Sequence, residues 1–475
     1  MRKFFILFSF ICYCFTVNAQ SLKMPPIFGD HMVLQSESNA AIWGIARPNQ
    51  KIKISASWDN AQSVTTVANN EGKWFTHIQT PQAGGPYSLT VKAEKKITLT
   101  NVLVGEVWLA SGQSNMEMPL KGLYNQPVYQ SASMITDPDQ PLIRLFDVKN
   151  QARNIPTEQF SGQWTMPSPE RIANFSAVAY SFAKKLATTL GTPVGIITSD
   201  WGGTRVEAWM DRALLSQKFP EVKLPDENPN KAHYQQPTVL YNGMIHPLIP
   251  FEIKGVIWYQ GESNRNEPWH YTALFSSMIQ QWRKKWNKPE LPFYFVQIAP
   301  LHYKGGVNSA YLREAQLQTV QETPNTSMIC IDDLGRSNCI HPPKKIEVGY
   351  RLAYFALNRT YQIKGINTDV PTFDYFETKE KNVIVHFKGA PQGFDNFEKE
   401  ITGFEVAGED EVFYPAKAHI VWGKLAVSLR CDKVSKPVAV RYNFKNYCEP
   451  SLFNTFGLPI SSFRSDQWKV AEILP

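Results

Sequence analysis

The stretch that decides the fold is VLVGEVWLASGQSN, residues 102–115. Its first part, Val102–Ala110, is an apolar run typical of a buried strand, and the run stops at Ser111-Gly112. Ser114 follows at once, where a helix can begin. It is therefore either a helix-capping serine or a nucleophile held at the end of a strand.

The pattern that begins at Val102–Ala110 continues to about residue 360, with short apolar runs alternating with amphipathic stretches. The further strand candidates are Leu142–Val148, Val194–Ser199, Lys254–Trp258, Pro292–Ile298 and Ser327–Ile331. Apolar residues recur at helical spacing over 178–190, 274–286, 312–320 and 346–357. This alternation predicts an α/β fold with a parallel sheet and helices on both of its faces.

The chain on either side of this region has short runs of period two, broken by turn clusters such as Ala83-Gly84-Gly85-Pro86. We expect β-sandwich-like regions at both ends. The predicted division is a signal peptide over 1–19, an N-terminal β-sandwich over 20–100, the α/β domain over 101–362 and a C-terminal β-rich domain over 363–475.

The N-terminus has the features of a secretory signal. Arg2-Lys3 is a charged start, Phe4 to Val17 is apolar, and Val17-Asn18-Ala19 supplies small residues for cleavage. No later run approaches the roughly 18 apolar residues of a membrane-spanning helix. We therefore expect an exported protein without a membrane span, either periplasmic or secreted.

Charge and cysteine content narrow the class of function. The formal net charge is +7, but basic residues occur only in short runs, so nucleic-acid binding is not expected. Cys330, Cys339, Cys431 and Cys448 would form two local disulfides, 330–339 and 431–448, or remain buried thiols. Their spacing is not that of a zinc site, and we expect neither a metal nor an organic cofactor.

Polar clusters follow four of the predicted strands. They are Ser111–Asn115, Asp200–Arg205, Tyr259–Asn264 and Asp332–Gly335, the last with His341 shortly after it. Because the carboxyl ends of parallel strands share one edge of a sheet, these clusters are expected to converge on a site.

The residue types in these clusters fit acyl transfer, which needs a nucleophile, a base and donors to an oxyanion. Ser114 is the nucleophile candidate and His341 the base, with His246 as a weaker competitor. The N–H groups of Ser114 and Gly203 are candidate oxyanion donors. A side-chain amide, from Gln260 or Asn264, would be the third.

Four ordered motifs carry a family resemblance: WLASGQSNMEMPL, SDWGGTRVEAW, LYNGMIHPLIPFEIKGVIWYQGESN and IHPPKKIEVGYRLA. They resemble the sialate O-acetylesterases of the SGNH-hydrolase superfamily, and PPIFGDHMVLQ resembles that family's N-terminal β domain. The resemblance implies a flavodoxin-like α/β/α hydrolase domain. It also implies Ser114 as nucleophile, His341 as base, and Gly203 with the Gln260 segment as oxyanion hole.

The activity implied is removal of O-acetyl groups from sugars, sialic acids first. Acetylxylan or another acetylated polysaccharide is the alternative substrate, because the same chemistry suits any sugar acetate. A sugar-binding protein with an inactive site is the non-enzymatic alternative. Gln113, Arg205 and Asn264 are the substrate-binding candidates, since the fork of Arg205 would match a sialate carboxylate. The sequence leaves the oligomeric state open.

One position departs from the family pattern. SGNH hydrolases usually carry an aspartate three residues before the histidine, and here that residue is Asn338. Asn338 itself, Asp333 or Glu262 could orient His341. A Ser–His dyad whose histidine is held by a backbone carbonyl is the interpretation we favour.

Overall fold

The computed structural model describes residues 21–59, 63–137, 140–228, 231–379 and 381–468. The predicted signal peptide, 1–19, lies outside these residues. No helix within the described ranges is long and apolar enough to cross a membrane.

The N-terminal part is built of strands. They are β1 (Val33–Gln35), β2 (Asn39–Ile45), β3 (Lys51–Ala56), β4 (Ser63–Val67), β5 (Lys73–Gln79), β6 (Gly84–Lys92) and β7 (Lys96–Gly112). The first half of β7 pairs antiparallel with β6, and its second half enters the central sheet. Strand β7 therefore continues past residue 100 and belongs to both the N-terminal β region and the central sheet. The proposed division of the chain into domains remains a prediction.

The α/β part alternates strands and helices. Its elements are α1 (Ser114–Glu117), α2 (Ser131–Ile135), β8 (Ile143–Asp147), β9 (Trp164–Thr165), α3 (Pro169–Asn174), α4 (Ala177–Leu190), β10 (Val194–Asp200), α5 (Arg212–Lys218), β11 (Gly255–Tyr259), α6 (Pro268–Lys285), β12 (Phe293–Val296), α7 (Ala310–Glu322), β13 (Thr326–Ile329) and α8 (Lys345–Phe355). The predicted strands and helices all occur, with ends shifted by a few residues.

The central sheet has the strand order β13-β12-β11-β7-β10-β8-β9. Every neighbouring pair is parallel except β8 and β9 at the edge. Side chains alternate between its two faces: Trp258 packs in the core on the α6 side, whereas Ile257 and Tyr259 pack in the core with α4 and α8. The predicted α/β/α architecture is confirmed.

The C-terminal part is again all strands: β14 (Thr372–Lys379), β15 (Asn382–Lys388), β16 (Phe394–Asp395), β17 (Phe404–Ala407), β18 (Phe413–Pro415), β19 (Lys417–Ile420), β20 (Ala426–Arg430), β21 (Ala439–Tyr442), β22 (Phe453–Asn454) and β23 (Phe463–Arg464). Two four-stranded sheets, β14-β15-β20-β19 and β18-β17-β21-β23, contribute to one apolar core. The four cysteines outside the signal region are all free thiols, so the expected local disulfides are wrong.

Candidate active site

Ser114 begins α1 directly after β7. Gly112 has φ +138°, and a Cβ there would meet the Tyr259 carbonyl oxygen at 2.2 Å, so the close approach of β7 and β11 requires glycine. The next residue, Gln113, donates its N–H to that same oxygen at 2.9 Å. The end of β7 is thus held against the end of β11, which fixes where Ser114 emerges at the carboxyl edge of the sheet.

His341 lies in the loop between β13 and α8 and reaches the same edge. Its Nε2 is 2.8 Å from Ser114 Oγ, which is within hydrogen-bond reach. The two residues are 227 positions apart in sequence, and the parallel sheet places both of their loops at one edge, where contacts between the loops bring them together. Both side chains are partly exposed, as a site open to substrate requires.

The other ring nitrogen of His341 has a partner that the sequence did not indicate. Gln126 Oε1 accepts a hydrogen bond from Nδ1. This contact assigns the proton to Nδ1 and leaves the Nε2 lone pair free to accept the Ser114 proton. The favoured expectation of a backbone carbonyl in this place is therefore wrong, although the group found is also an uncharged oxygen.

The position of Gln126 follows from a tight turn. Leu123 and Gln126 exchange two backbone hydrogen bonds of 2.9 Å. Three residues later, the N–H of Tyr129 donates to the Pro343 carbonyl at 2.9 Å. The loop after α1 is thereby tied to the segment that carries His341.

The three orienting groups predicted from the sequence point elsewhere. Asp333 pairs with the Arg351 guanidinium through both oxygens, at 2.8 and 2.5 Å. Glu262 accepts from Asn115 Nδ2 at 2.5 Å, and Asn338 is exposed. The missing aspartate of the family pattern is thus not replaced by a carboxylate from a neighbouring loop.

The environment of His341 keeps its ring neutral. Burial and, to a smaller extent, the nearby Lys345 ammonium together lower the pKa of His341 to about 4. Among the described residues, Nδ1 contacts the uncharged Gln126 amide and no carboxylate that would offset these effects. At neutral pH the imidazole is therefore the unprotonated base that a serine nucleophile needs.

The Gly202-Gly203 turn after β10 lies directly beside Ser114. A Cβ on Gly202 would lie 3.1 Å from the Ser114 Cβ, and the Gly202 N–H donates to Glu117 Oε2 at 2.7 Å. Gly203 has φ +73° and is exposed. Within the described residues, the N–H groups of Ser114 and Gly203 have no protein acceptor. Both predicted backbone donors are thus free.

The predicted side-chain amides instead hold the loops together. Gln260 is fully buried and donates to Asn264 Oδ1 at 2.8 Å and to the Thr204 carbonyl at 3.1 Å. Asn264 uses its own Nδ2 on Glu207 at 2.9 Å. Gln113 Oε1 accepts from two N–H groups of the loop after β11. The amide of Gln260 is thus bonded to other acceptors rather than free for an oxyanion, whereas substrate contact by Gln113 and Asn264 stays a prediction.

Arg205 is also engaged within the protein. Its guanidinium contacts Glu207 at 2.8 Å and Glu267 at 2.6 Å. Burial opposes its charge, but hydrogen bonds to these two carboxylates raise the pKa of Arg205 overall. The guanidinium that we expected to bind a substrate carboxylate is thus already paired with two carboxylates of the protein.

A buried polar group behind the site was missed from the sequence. Asn115, fully buried, donates to Glu262 Oε1 and to the Ile340 carbonyl at 3.0 Å, and it accepts from Lys345. Burial lowers the pKa of Lys345 and raises that of Glu262. The contact to Ile340 anchors the residue before His341. The pattern Ser-Asn after a strand was a signal for this role, although the sequence alone does not show the partners.

Two other sequence expectations concern bases and metals. His246 lies in a short turn, His246–Leu248, with its ring 6.2 Å from that of Tyr241, and the charged groups around it are Glu158, Lys285 and Lys73 rather than site residues. Across the described residues, no group of three or more His, Cys, Asp and Glu side chains is arranged to hold a metal ion.

Comparison with known proteins agrees with this geometry. Residues 104–358 match the family model described as "Carbohydrate esterase, sialic acid-specific acetylesterase". Sialate O-acetylesterase of Pongo abelii is 31% identical over 386 residues, covering 72% of this chain and 71% of that protein. The human enzyme of the same name is 30% identical over 385 residues, with 72% and 71% coverage.

A solved structure of a carbohydrate acetylesterase is similar to this chain over almost its whole length. The crystal structure of a carbohydrate acetylesterase from Xanthomonas citri superposes with a TM-score of 0.86 at 35% identity. It covers 94% of this chain and 100% of that one. The family match spans more than half of the 475 residues and includes Ser114, Gly203 and His341. The chain therefore belongs to the carbohydrate esterase family of sialic acid-specific acetylesterases.

Proposed function

We propose that Ser114 and His341 remove O-acetyl groups from sugars through an acetyl-enzyme. The observation that carries the proposal is the 2.8 Å contact between Ser114 Oγ and the unprotonated Nε2 of His341. Nε2 takes the serine proton while Oγ bonds to the acetyl carbon. Collapse of the intermediate breaks the bond to the sugar oxygen, which receives that proton. Water then repeats the sequence and releases acetate.

The oxyanion of the intermediate would be bound by backbone donors. The N–H groups of Ser114 and Gly203 have no acceptor among the described residues, and Gly203 directly follows Gly202, which lies against Ser114. Donors that are fixed before the reaction stabilise the developing charge without reorganisation. Because Gln260 is bonded elsewhere, the proposed hole has two backbone donors rather than three groups.

The pH dependence should reflect the unusual surroundings of His341. Catalysis needs the neutral ring, and the pKa of about 4 means that this form persists in mildly acidic solution. We expect kcat/KM to stay level from about pH 8 down to about pH 5.5 and to fall only below that. A pH series of initial rates on a sugar acetate measures this limb.

The variant Gln126→Glu adds a carboxylate against Nδ1. It should stabilise the imidazolium, raise the pKa of His341 and move the acidic limb upward by about one pH unit or more. Gln392→Glu, an exposed change in the C-terminal β region, is the matched control. An acidic limb that stays in place in Gln126→Glu would mean that Gln126 does not contact the base in solution.

For the substrate, we propose O-acetylated sialic acids, which the family description and the two curated relatives support. A neutral O-acetylated polysaccharide is the second candidate. The ion pairs of Arg205 with Glu207 and Glu267 favour it, because two protein carboxylates already offset the charge of this guanidinium.

Paired substrates separate these two candidates. A sialate esterase should act on side-chain O-acetylated sialic acid with a kcat/KM about tenfold or more above that on acetylated xylan. The reverse order would favour the polysaccharide. If neither is hydrolysed faster by the wild type than by Ser114→Ala, sugar deacetylation itself is excluded.

We also propose that the protein is exported and acts in the periplasm or outside the cell. The support is the charged, apolar and small-residue pattern of residues 2–19. Processing after Ala19 would be seen by N-terminal sequencing of the protein recovered from the exported fraction. An intact Met1 on that protein would contradict this proposal.

A further inference from the structure

We propose that Trp201 and Tyr234 form the subsite that holds the sugar ring carrying the acetyl ester. This inference rests on the proposed function, since it supplies the leaving-group side of the same reaction. The ligand class is a pyranose, with its C–H groups against the exposed part of the ring pair and its hydroxyls at the polar tips of the rings.

Trp201 lies next to the nucleophile because of its place in the fold. It directly follows β10, and its N–H donates to the Gly112 carbonyl at 3.1 Å. Its chain neighbour Gly202 faces Ser114, with 3.1 Å between the two Cβ positions. A ring at position 201 is therefore one residue away from the contact with the nucleophile.

Tyr234 comes from a separate loop but meets the same turn. A Cβ on Gly203 would lie 3.9 Å from the Tyr234 hydroxyl oxygen, and Gln235 Nε2 donates to the Gly203 carbonyl at 3.2 Å. His233 and Gln236 brace this loop through their backbone groups, at 2.9 Å. The phenol is thus presented beside the proposed oxyanion donor.

The two rings form a parallel pair with fixed geometry. Their centroids are 4.9 Å apart with 10° between the planes. Both side chains are partly buried and pack against the core, so little rotamer freedom remains to be lost on binding. A rigid aromatic surface of this kind costs little entropy to use.

The polar tips of both rings are available. Within the described residues, neither the indole N–H of Trp201 nor the Tyr234 hydroxyl has a hydrogen-bond partner in the protein. Neither is among the buried polar atoms that lack a partner. By contrast, the buried indoles of Trp164, Trp282 and Trp286 donate to backbone carbonyls. A donor beside the nucleophile that remains open to solvent suits sugar hydroxyls.

The simpler interpretation is that the pair only covers the Gly202-Gly203 turn. The two interpretations predict slower hydrolysis of different substrates when the rings are replaced. If the rings only hold the turn in place, their loss would slow the hydrolysis of every ester, because the oxyanion donor would move. Loss of a sugar subsite would harm only esters that carry a sugar.

The test uses Trp201→Leu and Tyr234→Leu, which keep apolar bulk, together with Tyr234→Phe. The substrates are the methyl glycoside of an O-acetylated pyranose and para-nitrophenyl acetate. We expect the KM for the glycoside to rise about tenfold in the leucine variants, with kcat/KM for the aryl acetate within about twofold. Tyr234→Phe should show a smaller rise. Trp422→Leu, at a site 96% exposed in the β19–β20 turn, is the matched control.

Direct binding separates failure of the subsite from failure of the proposed chemistry. Calorimetry of the deacetylated glycoside with Ser114→Ala, and with Ser114→Ala/Tyr234→Leu, measures the subsite without turnover. Weaker binding in the double variant supports the subsite even if the sugar ester is not hydrolysed. Equal binding, an unchanged KM, or a parallel loss on both substrates overturns it.

Discussion

Replacing Ser114 with alanine is expected to lower kcat/KM on an O-acetylated sugar by about 10⁴-fold or more. The substitution removes the oxygen that lies beside Nε2 of His341, in position to bond to the acetyl carbon. Ser114 is partly exposed at the start of a short helix, so its stability role is small, about 1 kcal/mol or less. Initial rates and a denaturation curve of the same preparation separate the two effects.

The matched control for that variant is Ser216→Ala, at an exposed position of α5. It should leave both rate and stability unchanged. Residual hydrolysis by Ser114→Ala is expected, because free backbone donors still polarise a bound carbonyl. A loss of less than about tenfold would show that another group attacks the ester.

Replacing His341 with alanine should cost nearly as much, about 10³- to 10⁴-fold in kcat/KM. Without Nε2, Oγ has no group to take its proton, and the adjacent Lys345 is buried and bonded to Asn115. The control is His246→Ala, which removes the other histidine considered from the sequence.

The double variant Ser114→Ala/His341→Ala sharpens this expectation. Residues that act as one unit are strongly non-additive, so the double variant should be no slower than the worse single variant within about tenfold. Losses that multiply instead would mean that the serine and the histidine act independently. That result would contradict a shared proton transfer.

The fold and the pair of catalytic candidates were predictable because both follow from patterns that lie within single segments. The apolar runs at Val102–Ala110 and Lys254–Trp258 became neighbouring parallel strands. A parallel sheet brings its carboxyl ends to one edge whatever the loops do. Ser114 follows β7 and His341 follows β13, so both lie at that edge, where contacts between their loops bring them together.

The direction of a side chain in a loop was not predictable in the same way. Gln260, Asn264 and Gln113 were correctly placed at strand ends, but their amides satisfy buried partners in adjacent loops. A buried amide that faced an empty pocket would lose free energy unless it found such partners. The sequence does not show how many of those partners are near.

Gln126 was missed for a different reason. The segment after α1 has no periodic pattern, and its position depends on the pairing of Tyr129 with Pro343. That contact joins residues more than 200 positions apart and leaves no trace in local spacing. The candidates named from the sequence, Asn338, Asp333 and Glu262, lie in the loops after β13 and β11, whereas Gln126 lies in the loop after α1.

The most direct test of the account is to trap the enzyme during turnover of a sugar acetate. Acid quenching, proteolysis and mass spectrometry would locate a covalent acetyl group. The account predicts this group on the peptide that carries Ser114, and its absence when Ser114 is alanine. An acetyl group on a different residue, or rapid turnover by Ser114→Ala, would contradict it.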